Sequence, residues 1–241
     1  MRLIVKEFQS FLRVGISIEI FCALFIGILL YSYNPGRMLE MQYDTSLHYI
    51  GYLFEKWYFS SFLFLTPILG IIVGIEIMSK EIKQKTLASL AIRPLSRSAL
   101  LGYKFVSGIL IIISLFVIPH IFISLYSEIN GISIPWHLIY TSILYTSLLV
   151  SVFYALTFFI ATITHITFLP LIISLISWMG CLYLSRMSDY RLTKLLPLHL
   201  ITKRHLIITN SIDSFEILYW LSAILLLFCG SYAFFKNKDI S

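Results

Sequence analysis

Charge is scarce in this chain. Asp, Glu, Lys and Arg make up 12% of its 241 residues, roughly half the share of an ordinary soluble domain. So little charge cannot cover the surface of a chain that is 59% hydrophobic, which excludes a water-soluble globule and leaves lipid to face the remainder. Cysteine is sparse too. Cys22, Cys181 and Cys229 all fall inside apolar runs with no paired spacing, so no disulfide is implied. His120, His137, His165, His199 and His205 form no H-E-x-x-H or comparable cluster, which argues against a metal centre or an intramembrane metalloprotease. A G-x-x-x-x-G-K-[ST] loop is also missing, so the chain has no backbone cradle for nucleotide phosphates and expects no cofactor of its own.

What the chain does have is long apolar runs. Spanning a bilayer takes about 20 apolar residues at 1.5 Å each. Six stretches qualify: 14–33, 59–78, 105–126, 136–163, 166–184 and 215–235. The fourth and fifth are separated by Thr164 and His165 alone. As one helix they would far exceed the bilayer, so they read as a tight hairpin, with Pro170 in the first turn of the fifth, where its missing N–H costs least. The first run is too long for a signal-peptide h-region and reads as a retained helix. Ahead of it, residues 2–13 place Ile4, Val5, Phe8, Phe11 and Leu12 on one face, with Arg2, Lys6, Gln9, Ser10 and Arg13 on the other. That is the pattern of a helix lying in the membrane interface, although a plain extension of the first span fits as well. The expected fold is therefore an all-α integral membrane protein, one domain over residues 1–241, with six transmembrane helices and both ends on one side.

The formal net charge is +6, but the basic residues sit between apolar runs. They report topology before any partner, and no nucleic acid is expected. Placing the N-terminus inside puts eleven of the eighteen Lys and Arg on inner segments. Five of the other seven lie in the segment 185–214, against the rule. The termini are thus expected to be cytoplasmic, in the plasma membrane.

The loop between the second and third spans is polar yet patterned. Ile82, Thr86 and Leu90 align at i, i+4, i+8 over residues 80–92, and Pro94 stops that helix. Ser96 or Ser98 can cap the helix that leads into span three. The succession Glu81-Ile-Lys-Gln-Lys85-Thr86-Leu87, then Pro94-Leu-Ser96-Arg97, then Gly102 and Lys104, resembles the membrane subunits of type-2 ABC transporters. In that family the Pro falls eight residues after the Thr and the Lys seven after the Arg, as in this chain, and the aromatic-basic-Asp ending is similar to Phe234–Ile240. Lys85 stands where the family usually has Gly, which leaves the turn before Thr86 open.

The resemblance implies that residues 80–92 are a cytoplasmic coupling helix docked in a cleft of a separate ATP-binding-cassette ATPase subunit, which would bind the ATP and Mg. Glu81, Thr86, Leu87, Leu90, Arg93, Pro94 and Arg97 would make that contact. Thr164 and His165 would offer a second one. The basic residues could equally touch lipid phosphates. A second permease subunit, identical or similar, would complete the pathway. Function would be export of an apolar or amphipathic substrate, to which spans rich in Phe, Ile, Leu and Tyr are suited. The alternative is a non-transporting membrane scaffold or immunity-type protein that sequesters a peptide or lipid. Within the spans, Glu19 and His120 read either as pathway-lining groups or as polar side chains satisfied locally. Gly70 and Gly74 permit close helix approach, within the chain or between chains.

Overall fold

A computed structural model describes residues 63–79, 97–129, 136–164, 166, 168–187, 196–197 and 214–237. The expected interfacial helix 2–13, span one with Glu19, residues 59–62 of span two, and the segment 80–96 lie outside the described residues, as does His165. Among the described residues the regular structure is helical throughout. We label the helices α1 (Leu63–Gly74), which runs directly into a π-helical turn (Ile75–Ser79), α2 (Arg97–Ile129), α3 (Trp136–Ile163), α4 (Leu169–Met187) and α5 (Ser214–Asn237).

Three of these contain apolar stretches long enough to cross a membrane: Ala99–Ile118, Ile139–Ile163 and Ser214–Lys236. Pro67–Met78 and Leu169–Leu184 are shorter apolar helices. The boundaries differ from the expected ones in ways the sequence explains. α2 starts at Arg97, directly after Ser96, eight residues before the hydropathy edge at Phe105, because Leu100, Leu101 and Lys104 are already buried against the bundle. α3 fills its expected range. α4 begins at Leu169 instead of Ile166 because the hairpin is closed by short backbone bonds: Thr164 N–H donates to Ile160 O at 3.0 Å and Leu169 N–H to Ile166 O at 3.4 Å. Pro170 then takes the second position of α4, where no helical N–H is needed.

α3 is the hub, packed against the four other helices. Every residue from Tyr145 to Ala155 is buried, the condition of a helix enclosed on all sides. Its sequence allows this, since Thr146, Ser147, Ser151, Ala155, Thr157 and Ala161 recur about once per turn. Side chains this small let neighbouring backbones approach in lipid, where helix association depends on van der Waals contact. Two of the buried α3 hydroxyls bond locally, Thr157 Oγ1 donating to Phe153 O at 2.8 Å and Thr162 Oγ1 to Phe159 O at 2.7 Å, whereas Ser147 Oγ is buried without a partner among the described residues. By contrast, α5 buries one stripe, Glu216, Trp220, Ile224, Ser231 and Phe235, and exposes Phe215, Leu218, Leu225 and Leu226 on the other side.

A polar link joins α3 to α4: Thr157 Oγ1 lies 2.8 Å from Ser174 Oγ, both fully buried. Thr157→Val keeps the shape and removes that link. It is expected to destabilise the bundle by about 0.6 kcal/mol, an ordinary interhelical hydrogen bond in a membrane, read as a small shift in the midpoint of unfolding by SDS titration.

Candidate functional site

Two of the segments singled out by sequence, 80–97 and Thr164–His165, are far apart in the chain. The helix pairings bring their described flanks to one end of the bundle. Gly70 and Gly74 of α1 lie against Val150 and Thr157 of α3, so these two helices run parallel. Gly230 of α5 lies against Phe159 of α3. Phe105 of α2 packs on Phe158 at 5.3 Å between ring centroids, and on Phe228 of α5 at 4.5 Å. Counting along helices at about 1.5 Å per residue from these contacts puts Ser79, Arg97 and Thr164 toward the same end of the bundle. The helix starting at Arg97 and the turn at Thr164 therefore share an end with the π-turn that leads into Lys80.

The π-turn itself is placed by Gly74. A Cβ there would fall 2.9 Å from Thr157 Cβ and 3.3 Å from Tyr154 O, so only glycine lets α1 lie this close to α3. Immediately afterwards the backbone widens into Ile75–Ser79, with Ile77 and Met78 buried and Glu76 half-buried. Single π-turns of this kind recur at functional sites. Here it forms the last described turn before residue 80.

On the other flank, α2 carries Lys104 seven residues after Arg97, with only 1% of its surface exposed. Its carbonyl accepts a bond from Ser107 Oγ at 2.8 Å. The fully buried Tyr154 hydroxyl lies 3.3 Å from the same oxygen and 3.1 Å from Phe105 O. The Tyr154 ring occupies the space that a side chain at Gly108 would need. Phe105 flanks it at 5.4 Å and Phe158 at 5.8 Å. Reasoning from sequence named Lys104 in the motif but missed Tyr154 and Gly108. A lone Tyr in an apolar run gives no signal until its partner helix is known. The Gly70–Gly74 pair, read as a surface for close approach, contacts α3 of its own chain.

Thr164 caps α3, its Oγ1 donating to Ile160 O at 2.9 Å. His120 sits in α2 after Pro119, 6% exposed, with Nδ1 2.7 Å from Phe116 O one turn back. Glu81, Thr86, Leu87, Leu90, Arg93, Pro94 and His165 lie outside the described residues, and of Arg97 only the backbone is described.

Apolar helices around a central rod, with the ends of distant segments gathered on one side, define a multi-pass helical membrane protein. The profile of the ABC-2 family transporter proteins matches residues 1–240. The chain belongs to that family, and is thus the membrane subunit of an ABC-2 type transporter. Membership implies partnership with an ABC ATPase subunit. Comparison with functionally curated proteins gives no match.

Proposed function

We propose that this chain is a six-span permease subunit, a single domain in the cell membrane with both termini cytoplasmic, that exports an apolar or amphipathic substrate using ATP hydrolysed by a separate subunit. Residues 80–92 act as the coupling helix, seated in a cleft of the ATPase through Glu81, Thr86, Leu87 and Leu90. Arg93, Pro94 and Arg97 complete the contact. Thr164, at the same end of the bundle, and His165 next to it in sequence add a second. A second permease subunit, identical or similar, supplies the other half of the pathway, with lipid around both. Closure of the ATPases on ATP pulls this end of the bundle, and the spans tilt in the rigid-body manner of alternating access. Pathway-lining roles for Glu19 and His120 belong to the same proposal.

The observation that carries this reading is the match to the family over residues 1–240. The gathering of Ser79, Arg97 and Thr164 at one end supports it, because a single partner surface could then engage both segments. The test combines Glu81→Lys with Arg93→Glu and Arg97→Glu. In membranes that also contain the ATPase subunit, co-purification of the ATPase is expected to fall at least tenfold while permease levels hold. An ATPase that binds the triple variant as well as the wild type, or that binds neither, overturns the coupling assignment and favours a scaffold.

A further inference from the structure

The coupling segment hangs between two rods, α1 with its π-turn and α2. A pull on it can move them together or pry them apart. Which of these happens depends on what joins them near that end. α1 and its π-turn touch α2 directly, and a residue that belongs to neither rod meets both closely.

Tyr154, on α3, touches α1 with its backbone. The Cβ position of Gly70 lies 3.2 Å from its nitrogen, and that of Gly74 lies 3.3 Å from its oxygen. It touches α2 with its side chain, the ring lying across Gly108 and the hydroxyl reaching Lys104 O and Phe105 O. Both carbonyls lie inside α2, and the one on Lys104 also accepts the Ser107 hydroxyl. A single proton shared between them fixes the position of α2 along α3 as well as its distance. A ring contact alone would let one helix slide on the other. Hydrocarbon offers no water to take the place of either carbonyl.

We propose that Tyr154 is the positioning residue that locks α1, α2 and α3 into one mechanical unit, so that force entering through residues 80–92 rocks three spans together. The lock has three parts, each with its own requirement: glycine at 70 and 74 for the backbone approach, glycine at 108 for the ring, and the phenolic hydroxyl for register. Tyr154 touches neither cargo nor ATPase in this account. It acts through the two rods. The inference rests on the proposed coupling role of residues 80–92.

The experiment uses the permease with its ATPase subunit in lipid nanodiscs, in a background with Cys22, Cys181 and Cys229 changed to Ser. Spin labels replace Tyr103 on α2 and Ile163 on α3, both exposed and near the coupling end. The wild-type distance between them is expected to be the same with and without ATP. Tyr154→Phe keeps the ring over Gly108 and drops the hydroxyl. It is expected to leave ATPase binding and protein yield unchanged, while the ATP-bound distance shifts or splits by more than the about 2 Å of an ordinary interface adjustment. A wild-type distance that changes on ATP binding overturns the lock, as does a Tyr154→Phe distance identical to wild type in both states. If Tyr154→Phe fails to insert, the wild-type pair alone decides. Failure of the ATPase to associate with the wild-type permease is a separate result, seen before any nucleotide is added, and it removes the coupling role and this inference together.

Discussion

Gly70→Ala is expected to be the most damaging single-methyl change in the described bundle. The new Cβ would overlap the backbone carbonyl oxygen of Val150 and stand 3.1 Å from Val150 Cγ1 and 3.2 Å from Tyr154 N. Side chains can turn away from an added methyl, but a helix backbone cannot without the whole rod moving. Val150 and Tyr154 belong to the stretch of α3 that is buried on every side, so α3 has nowhere to retreat. Relief therefore requires α1 to lift off α3. Overpacking of this kind costs about 1–3 kcal/mol, and the rigid backbone partner places Gly70→Ala at the top of that range. In lipid the separated faces gain nothing from water exclusion, so lost contact is lost outright. The measurement is the fraction of monodisperse protein left after heating in mild detergent. A midpoint within 1 °C of wild type would show that α1 does not pack on α3 as described.

Tyr154→Ala should cost at least as much by the opposite route, with a distinctive rescue. Removing a fully buried aromatic ring costs about 3–5 kcal/mol through lost contacts and the cavity left behind. Phe105 and Phe158 would lose a ring they pack on at 5.4 and 5.8 Å. The same cavity opens over Gly108, where a Cβ now overlaps the Tyr154 ring. Gly108→Ala alone is therefore expected to destabilise. Added to Tyr154→Ala, it should cost little or restore stability, because its methyl fills part of the vacated space. A coupling of at least about 1 kcal/mol in the double-mutant cycle is expected, as for residues in direct contact. Additive effects would mean that the two do not meet.

The comparison between sequence and structure is clearest at α3 and its neighbours. The range Trp136–Ile163 was readable to the residue, because an apolar run bounded by Pro135 and by Thr164 leaves a helix in lipid no other limits. The start of α2 was not. Hydropathy marks Phe105, yet the helix continues back to Arg97 since burial against the bundle, not lipid contact, holds its first turns. Gly70 and Gly74 announced a close contact without naming the partner, and only the packing assigned it to Val150, Tyr154 and Thr157. Thr157–Ser174 and Tyr154–Gly108 gave no sign at all in the sequence, being pairs formed between helices with no local pattern to betray them.

By itself the sequence determined that this is a helical membrane chain, where its apolar runs lie, and which family it resembles. Those properties depend on composition, on the length of apolar runs, and on local motif spacing, all of which are written along the chain. The tertiary structure decided that α3 is the hub, that Ser79, Arg97 and Thr164 lie toward one end of the bundle, and that a tyrosine on α3 contacts both α1 and α2. Such features follow from which faces meet and at what register, and an apolar helix looks the same from every side until a neighbour is packed against it.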